Sequence, residues 1–143
     1  MNYNKFRVPT AAKCLTEALE KCPRLTRIEF KLCRISDEIV PSLIPMITSR
    51  VRYLNLSHNK ITKDGFVHIA DKFKGMAETG DPSLIQTFIM KSNELNDFCI
   101  EYIRDIIRSC KELRLFDISE NLFLSSYGDL VQLKYHHKVL FHV

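Results

Sequence analysis

Toward the end of this 143-residue chain His136, His137 and His142 stand close together, and imidazoles are the side chains that most often hold transition metals. Neighbours on a helix point about 100° apart, so His136 and His137 do not face one ion together. No carboxylate or thiol stands at ligand spacing from them. Cysteines number five (Cys14, Cys22, Cys33, Cys99, Cys110), and no pair has CxxC spacing. That argues against both a disulfide framework and a zinc site, and for a reducing, cytoplasmic setting. A nucleophilic serine would need a tight GxSxG turn, and a phosphate cradle a glycine-rich loop. Neither is present among only four glycines. Carboxylates show no acid/base pairing, and His58 has no partner that sequence identifies. Asn55-Leu56-Ser57 matches a glycosylation acceptor, but it falls on a predicted strand of a predicted intracellular protein. The expectation is a chain with no catalytic residue, metal or cofactor.

Asparagine does a different chemistry here. An eleven-residue spacing occurs four times: apolar, apolar three later, apolar two later, Asn or Cys three later, apolar two later. The copies are Leu25, Ile28, Phe30, Cys33, Ile35; Val51, Leu54, Leu56, Asn59, Ile61; Ile85, Phe88, Met90, Asn93, Leu95; and Leu113, Phe116, Ile118, Asn121, Phe123. Alternation before each rung predicts a short strand, because successive strand residues face opposite sides. The rung residue falls where the chain must turn inward. A buried Asn amide offers two donors and a carbonyl acceptor, so stacked copies could satisfy one another's turn backbone. Cys33, with a weak S–H donor, predicts a looser first rung. Cys22 and Cys110 each precede a copy by three residues and read as small core residues.

The pattern resembles the leucine-rich repeat, over nearly the whole chain and most closely in VRYLNLSHNKITKDGFVHIADKF, residues 51–73. Rungs 33, 59, 93 and 121 are 26, 34 and 28 residues apart, which suits the longer, helix-bearing, ribonuclease-inhibitor-like subtype. The resemblance implies an α/β fold: a short solenoid with a parallel sheet on the concave side and helices on the convex side. One repeat domain would span 1–143: an N-terminal half-repeat and capping helix at 1–24, repeats at 25–50, 51–84, 85–112 and 113–137, and a C-terminal cap at 138–143.

Helical periods support these boundaries. Phe66, Ile69 and Phe73 recur by turns, and Phe98, Cys99, Tyr102, Ile103, Ile106 and Ile107 form a stripe that Asp97 could cap. Pro41 fits a first helical turn but Pro45 would clash further on, so residues 36–48 predict a short or broken helix. Residues 74–83, with two glycines and a proline, read as a loop after a helix end. At the front, Asn4 and Phe6 keep the phase, and a helix over 11–22 begins at Thr10 and stops at Pro23. At the back, 127–137 reads as a last helix and 139–143 as a strand that closes the stack, or that opens a further repeat if the chain is a fragment.

The charge of +4 is mild and unclustered, without the basic stripe and interleaved aromatics of a nucleic-acid binder. No apolar run approaches a membrane span. What remains is a surface. Outward strand positions are Arg27, Glu29 and Lys31; Tyr53, Asn55 and Ser57; Thr87, Ile89 and Lys91; Leu115, Asp117 and Ser119. Leu32, His58, Ser92 and Glu120 lie at the edge. Tyr53, Ile89 and Leu115 would make an apolar centre with a charged rim, which resembles a protein-binding patch. The expected function is a non-enzymatic scaffold or adaptor that docks a protein through Arg27, Glu29, Lys31, Tyr53, Asn55, Ser57, His58, Ile89, Lys91, Leu115 and Asp117. Alternatives are an enzyme regulator, such as an inhibitor or GTPase activator, and a structural subunit of a cytoskeletal, ciliary or mitochondrial complex.

Overall fold

The computed structural model describes residues 24–124 and the isolated positions Cys14, Glu17, Cys22 and Gln132. The sequence readings of a helix over 11–22, a helix over 127–137, a strand over 139–143 and the His136, His137, His142 cluster lie outside the described residues.

Four strands, β1 (Arg27–Glu29), β2 (Tyr53–Asn55), β3 (Thr87–Ile89) and β4 (Leu115–Asp117), form one parallel sheet in sequence order. Their register follows the repeat phase. Ile28, Leu54, Phe88 and Phe116 are successive cross-strand partners, and all four are buried. Backbone bonding continues past each strand: Phe30 N donates to Asn55 O, Leu56 N to Ile89 O and Met90 N to Asp117 O, at 2.7–2.8 Å. Leu56, Met90 and Ile118 make the next buried row, while Phe30 is half-buried.

Three helices connect the strands: α1 (Val40–Leu43), α2 (Lys63–Glu78) and α3 (Ile100–Ser109). The helix expected to be short or broken is so. After α1, which has Pro41 in its first turn, Ile44–Met46 continue as a single 3₁₀ turn containing Pro45. In α2 Phe66, Ile69, Ala70, Phe73 and Met76 are buried, and in α3 Ile100, Ile103, Ile106 and Ile107 are. Phe73 meets Phe88 edge-on at 5.7 Å between centroids, and Phe88 stacks on Phe116 at 4.9 Å. The helices therefore cover the Phe88 face of the sheet, and among the described residues no helix lies on the other face.

Several readings need correction. Residues 74–83 are not all loop. Helix α2 runs on to Glu78, because Met76 reaches the core, and Gly75 is helical. The turn comes at Thr79 and Gly80, where Gly80 takes φ 79°. Asp97 is not at the N-cap of α3; that position is Cys99, which makes no side-chain capping bond. Asn96 caps the 3₁₀ turn Asp97–Cys99 that precedes α3, accepting from Phe98 N at 3.2 Å. That turn swings Phe98 outward to 77% exposure, out of the apolar stripe. Cys110 is buried as expected, whereas Cys22 is exposed.

The rung asparagines tie neighbouring copies together. Asn59 Oδ1 accepts from Cys33 N and Ile35 N at 3.1 and 3.0 Å, while its Nδ2 donates to Phe30 O and Leu56 O at 2.8 Å. Asn93 Oδ1 accepts from Ile61 N, and Nδ2 donates to Leu56 O and Met90 O. Asn121 repeats the arrangement on Asn93 N, Leu95 N, Met90 O and Ile118 O. Each amide serves its own turn and the turn before it, so backbone groups inside the fold keep partners. Cys33 manages a single Sγ contact, to Lys31 O at 3.4 Å, and burial pushes its thiol pKa up.

Candidate functional site

The uncovered sheet face is built by register. Parallel pairing aligns Arg27, Tyr53, Thr87 and Leu115 in one row, and Glu29, Asn55, Ile89 and Asp117 in the next. Side chains in these rows point away from the buried Ile28, Leu54, Phe88 and Phe116 because strand neighbours alternate. The apolar stripe is thus less continuous than its residue types suggest. Thr87 separates Tyr53 from Leu115, and Ile89 sits one row further on as their diagonal neighbour.

Arg27, Glu29 and Lys31 are exposed, and Tyr53, His58, Ile89, Lys91, Leu115 and Asp117 are half-buried. Asn55 and Ser57 stand at outward strand positions but are buried, at 6% and 2% exposure. The physical reason is local. Asn55 Oδ1 accepts from Ser57 N at 2.9 Å and its Nδ2 donates to Tyr53 OH at 3.3 Å, so the amide lies down along the strand.

Much of the charge on this face is already partnered. Arg27 Nη2 donates to Glu29 Oε2 at 2.8 Å, and the guanidinium carbon sits 3.5 Å from the Tyr53 ring centroid. One cation thereby covers the aromatic and neutralises the carboxylate, and the Glu29 bond holds the Arg27 pKa above its ordinary value. Lys91 Nζ pairs with Glu120 Oε1 at 2.8 Å, and Ser92 Oγ donates to Glu120 Oε2 at 2.6 Å. These bonds hold the Glu120 carboxyl below its ordinary range and raise Lys91. Asp117 Oδ1 accepts from Ser119 N and Oγ at 3.0 and 2.6 Å.

Two recurring features were missed in the sequence. Leu32, His58, Ser92 and Glu120, each one residue before a rung, all adopt left-handed backbone, with φ between 54° and 59°. Their N–H groups keep the ladder: Leu32 N to Ser57 O, His58 N to Lys91 O and Ser92 N to Ser119 O. The conformation costs about 1–2 kcal/mol for a residue with a Cβ, and the bonded N–H and the rung behind it offset that. None of the four is glycine, so residue type gave no signal. The second feature is a carboxylate four places after a rung. Asp37 accepts from Thr62 N, Thr62 Oγ1 and Gly65 N of the following copy at 2.9, 2.7 and 3.0 Å. Asp97 likewise accepts from Leu124 N at 3.1 Å. The shared offset from Cys33 and Asn93 was the available clue.

Among the described residues no group of three or more His, Cys, Asp or Glu side chains is placed to hold a metal ion, and no helix is long and apolar enough to cross a membrane. No family model matches the chain. Over 104 residues it is 26% identical to a Tonsoku-like protein of Danio rerio. The match takes in 71% of this chain and only 7% of that protein's length.

Proposed function

We propose that the chain is a leucine-rich-repeat solenoid of the longer, helix-bearing subtype, and that it acts without catalysis, as a scaffold that docks a protein through the uncovered sheet face. One observation carries the reading. Four in-register strands bring half-exposed Tyr53, Ile89 and Leu115 onto one face, among charges that are largely paired to each other. An apolar patch with a polar margin is the composition of a non-obligate interface. The strong match between repeat phase and strand register supports the repeat assignment, since each copy buries its neighbour's apolar row. Similarity to a segment of a Tonsoku-like protein fits a module that works inside larger chains.

The test is affinity capture from native extract with the wild-type chain and with the pair Tyr53→Ala and Ile89→Asp. The proposal expects a protein recovered by wild type and lost with the pair. Equal recovery from both would count against this face.

A further inference from the structure

The join between copies recurs with the same donors and acceptors. Just past each strand, two N–H groups go to the next copy. Phe30 N and Leu32 N donate to Asn55 O and Ser57 O, Leu56 N and His58 N to Ile89 O and Lys91 O, and Met90 N and Ser92 N to Asp117 O and Ser119 O. The next copy's asparagine then accepts at the rung. Cys33 N and Ile35 N donate to Asn59 Oδ1, Ile61 N to Asn93 Oδ1, and Asn93 N and Leu95 N to Asn121 Oδ1. In the fourth copy the equivalent donors are Ile118 N, Glu120 N, Asn121 N and Phe123 N. Among the described residues none of these four has an acceptor. Ile118 is buried, and a buried residue whose N–H lacks an acceptor is uncommon in a folded protein.

Residue type changes at the same place. One position after the rung, Arg34, Lys60 and Glu94 give way to Leu122, and three positions after it, Ser36, Thr62 and Asn96 give way to Leu124. Leu122 and Leu124, which flank Phe123, are 56% and 93% exposed. The four donors define what fits them. Ile118 N and Glu120 N need carbonyls two residues apart on a parallel strand, as Asn55 O and Ser57 O are. Asn121 N and Phe123 N need a side-chain carbonyl two residues further on, where Asn59 stands in the second copy. We infer that the β4 end of the stack is a docking edge for a strand of another protein, added in parallel and carrying this chain's own pattern of apolar, any residue, apolar, any two residues, Asn. The edge is separate from the sheet face and does not depend on what binds there. Two other occupants fit less well. Residues 125–143 contain no Asn and so bring no rung. A second copy of this chain set end to end would bring Cys33, whose thiol has no carbonyl to offer.

The probe is the synthetic peptide VRYLNLSHNKI, residues 51–61, which makes this join inside the structure. It is added in excess to the isotope-labelled full chain, and amide hydrogen exchange is followed by NMR. A scrambled peptide and the same peptide carrying Asn59→Ala are run beside it. The expected result is exchange at Ile118, Glu120, Asn121 and Phe123 slowed about tenfold or more by the unaltered peptide. The Asn59→Ala peptide should lose that protection at Asn121 and Phe123, and the scrambled one should protect none of the four. Protection of all four in the free chain at every concentration would show the chain's own residues filling the edge, and would overturn the inference. Protection of the free chain that grows with its concentration would assign the edge to a second copy and overturn it too. So would no slowing by the unaltered peptide, equal slowing by the scrambled one, or full protection of Asn121 and Phe123 by the Asn59→Ala peptide.

Discussion

Asn59 makes five hydrogen bonds through one amide, all to backbone groups, and three of the five are buried. Truncation would take the acceptor from both Cys33 N and Ile35 N, while Leu56 O keeps Asn93 Nδ2 and Ser57 O keeps Leu32 N. Each unsatisfied buried group costs about 1–3 kcal/mol. Asn59→Ala should therefore lower the unfolding free energy by about 3 kcal/mol or more in urea titrations. Cys33→Ala, at the equivalent place, removes one long contact on a half-buried thiol and should cost less than about 1 kcal/mol. Equal losses would mean that the rung amides are not what joins the copies. Cys110 gives a second residue-scale prediction. Burial pushes its thiol up to about 12 from the ordinary 9.0, against a smaller opposing effect of the Ser83 hydrogen bond. The unfolded chain ionises first, so above pH 9 the folded state holds the extra proton and stability falls as pH rises. Cys110→Ala should make the decline of Tm above pH 9 shallower than in wild type.

Elements are joined by side chains from outside themselves. Helix α2 begins with Thr62, whose hydroxyl accepts from Asp64 N, but Asp37 of the preceding copy bonds Thr62 and Gly65 as well. Gly65 is required there because a Cβ would run into Asp37 Oδ1 and crowd Ile61 and Val40. Alanine would gain about 1 kcal/mol of helix propensity, while overpacking costs about 1–3 kcal/mol. Gly65→Ala should therefore destabilise, and the loss should shrink when Asp37→Ala is added, a coupling that a double-mutant cycle reads. Additive losses would show that the two residues do not meet. This level was the hardest to see in advance. The rungs were legible because Asn at a fixed spacing is a local signal. The Asp37 staple depends on a partner 25 residues away and exists only once copies stack. The reach of α2 was hidden for a similar reason. Gly75, Gly80 and Pro82 punctuate the sequence, but packing of Met76 against the core carries the helix past the first of them. Asn55 obeys the alternation rule in direction, yet its amide lies along the strand between Ser57 N and Tyr53 OH, so face assignment did not translate into exposure.

Across the whole molecule, the interior is one apolar body from Ile28 to Ile118, with Phe88 in contact with rings from both a helix and the adjoining strand. Phe88→Ala should cost about 3–5 kcal/mol, and unfolding followed by fluorescence and circular dichroism should still coincide in one transition if the copies melt together. Separate transitions would mean that the stack breaks between β2 and β4. Among the described residues nothing packs on the opposite sheet face, where Tyr53, Ile89 and Leu115 are held at fixed positions by pairing rather than by loops. That is the basis for assigning function to this face. Photocrosslinking tests it most directly: a benzophenone amino acid is placed at Thr87, in the middle of the face, or at exposed Asp71 on α2, and each chain is irradiated in native extract. The account predicts a discrete protein crosslink from Thr87 that Asp71 does not give. A crosslink from Asp71 alone, or the same products from both positions, would contradict it.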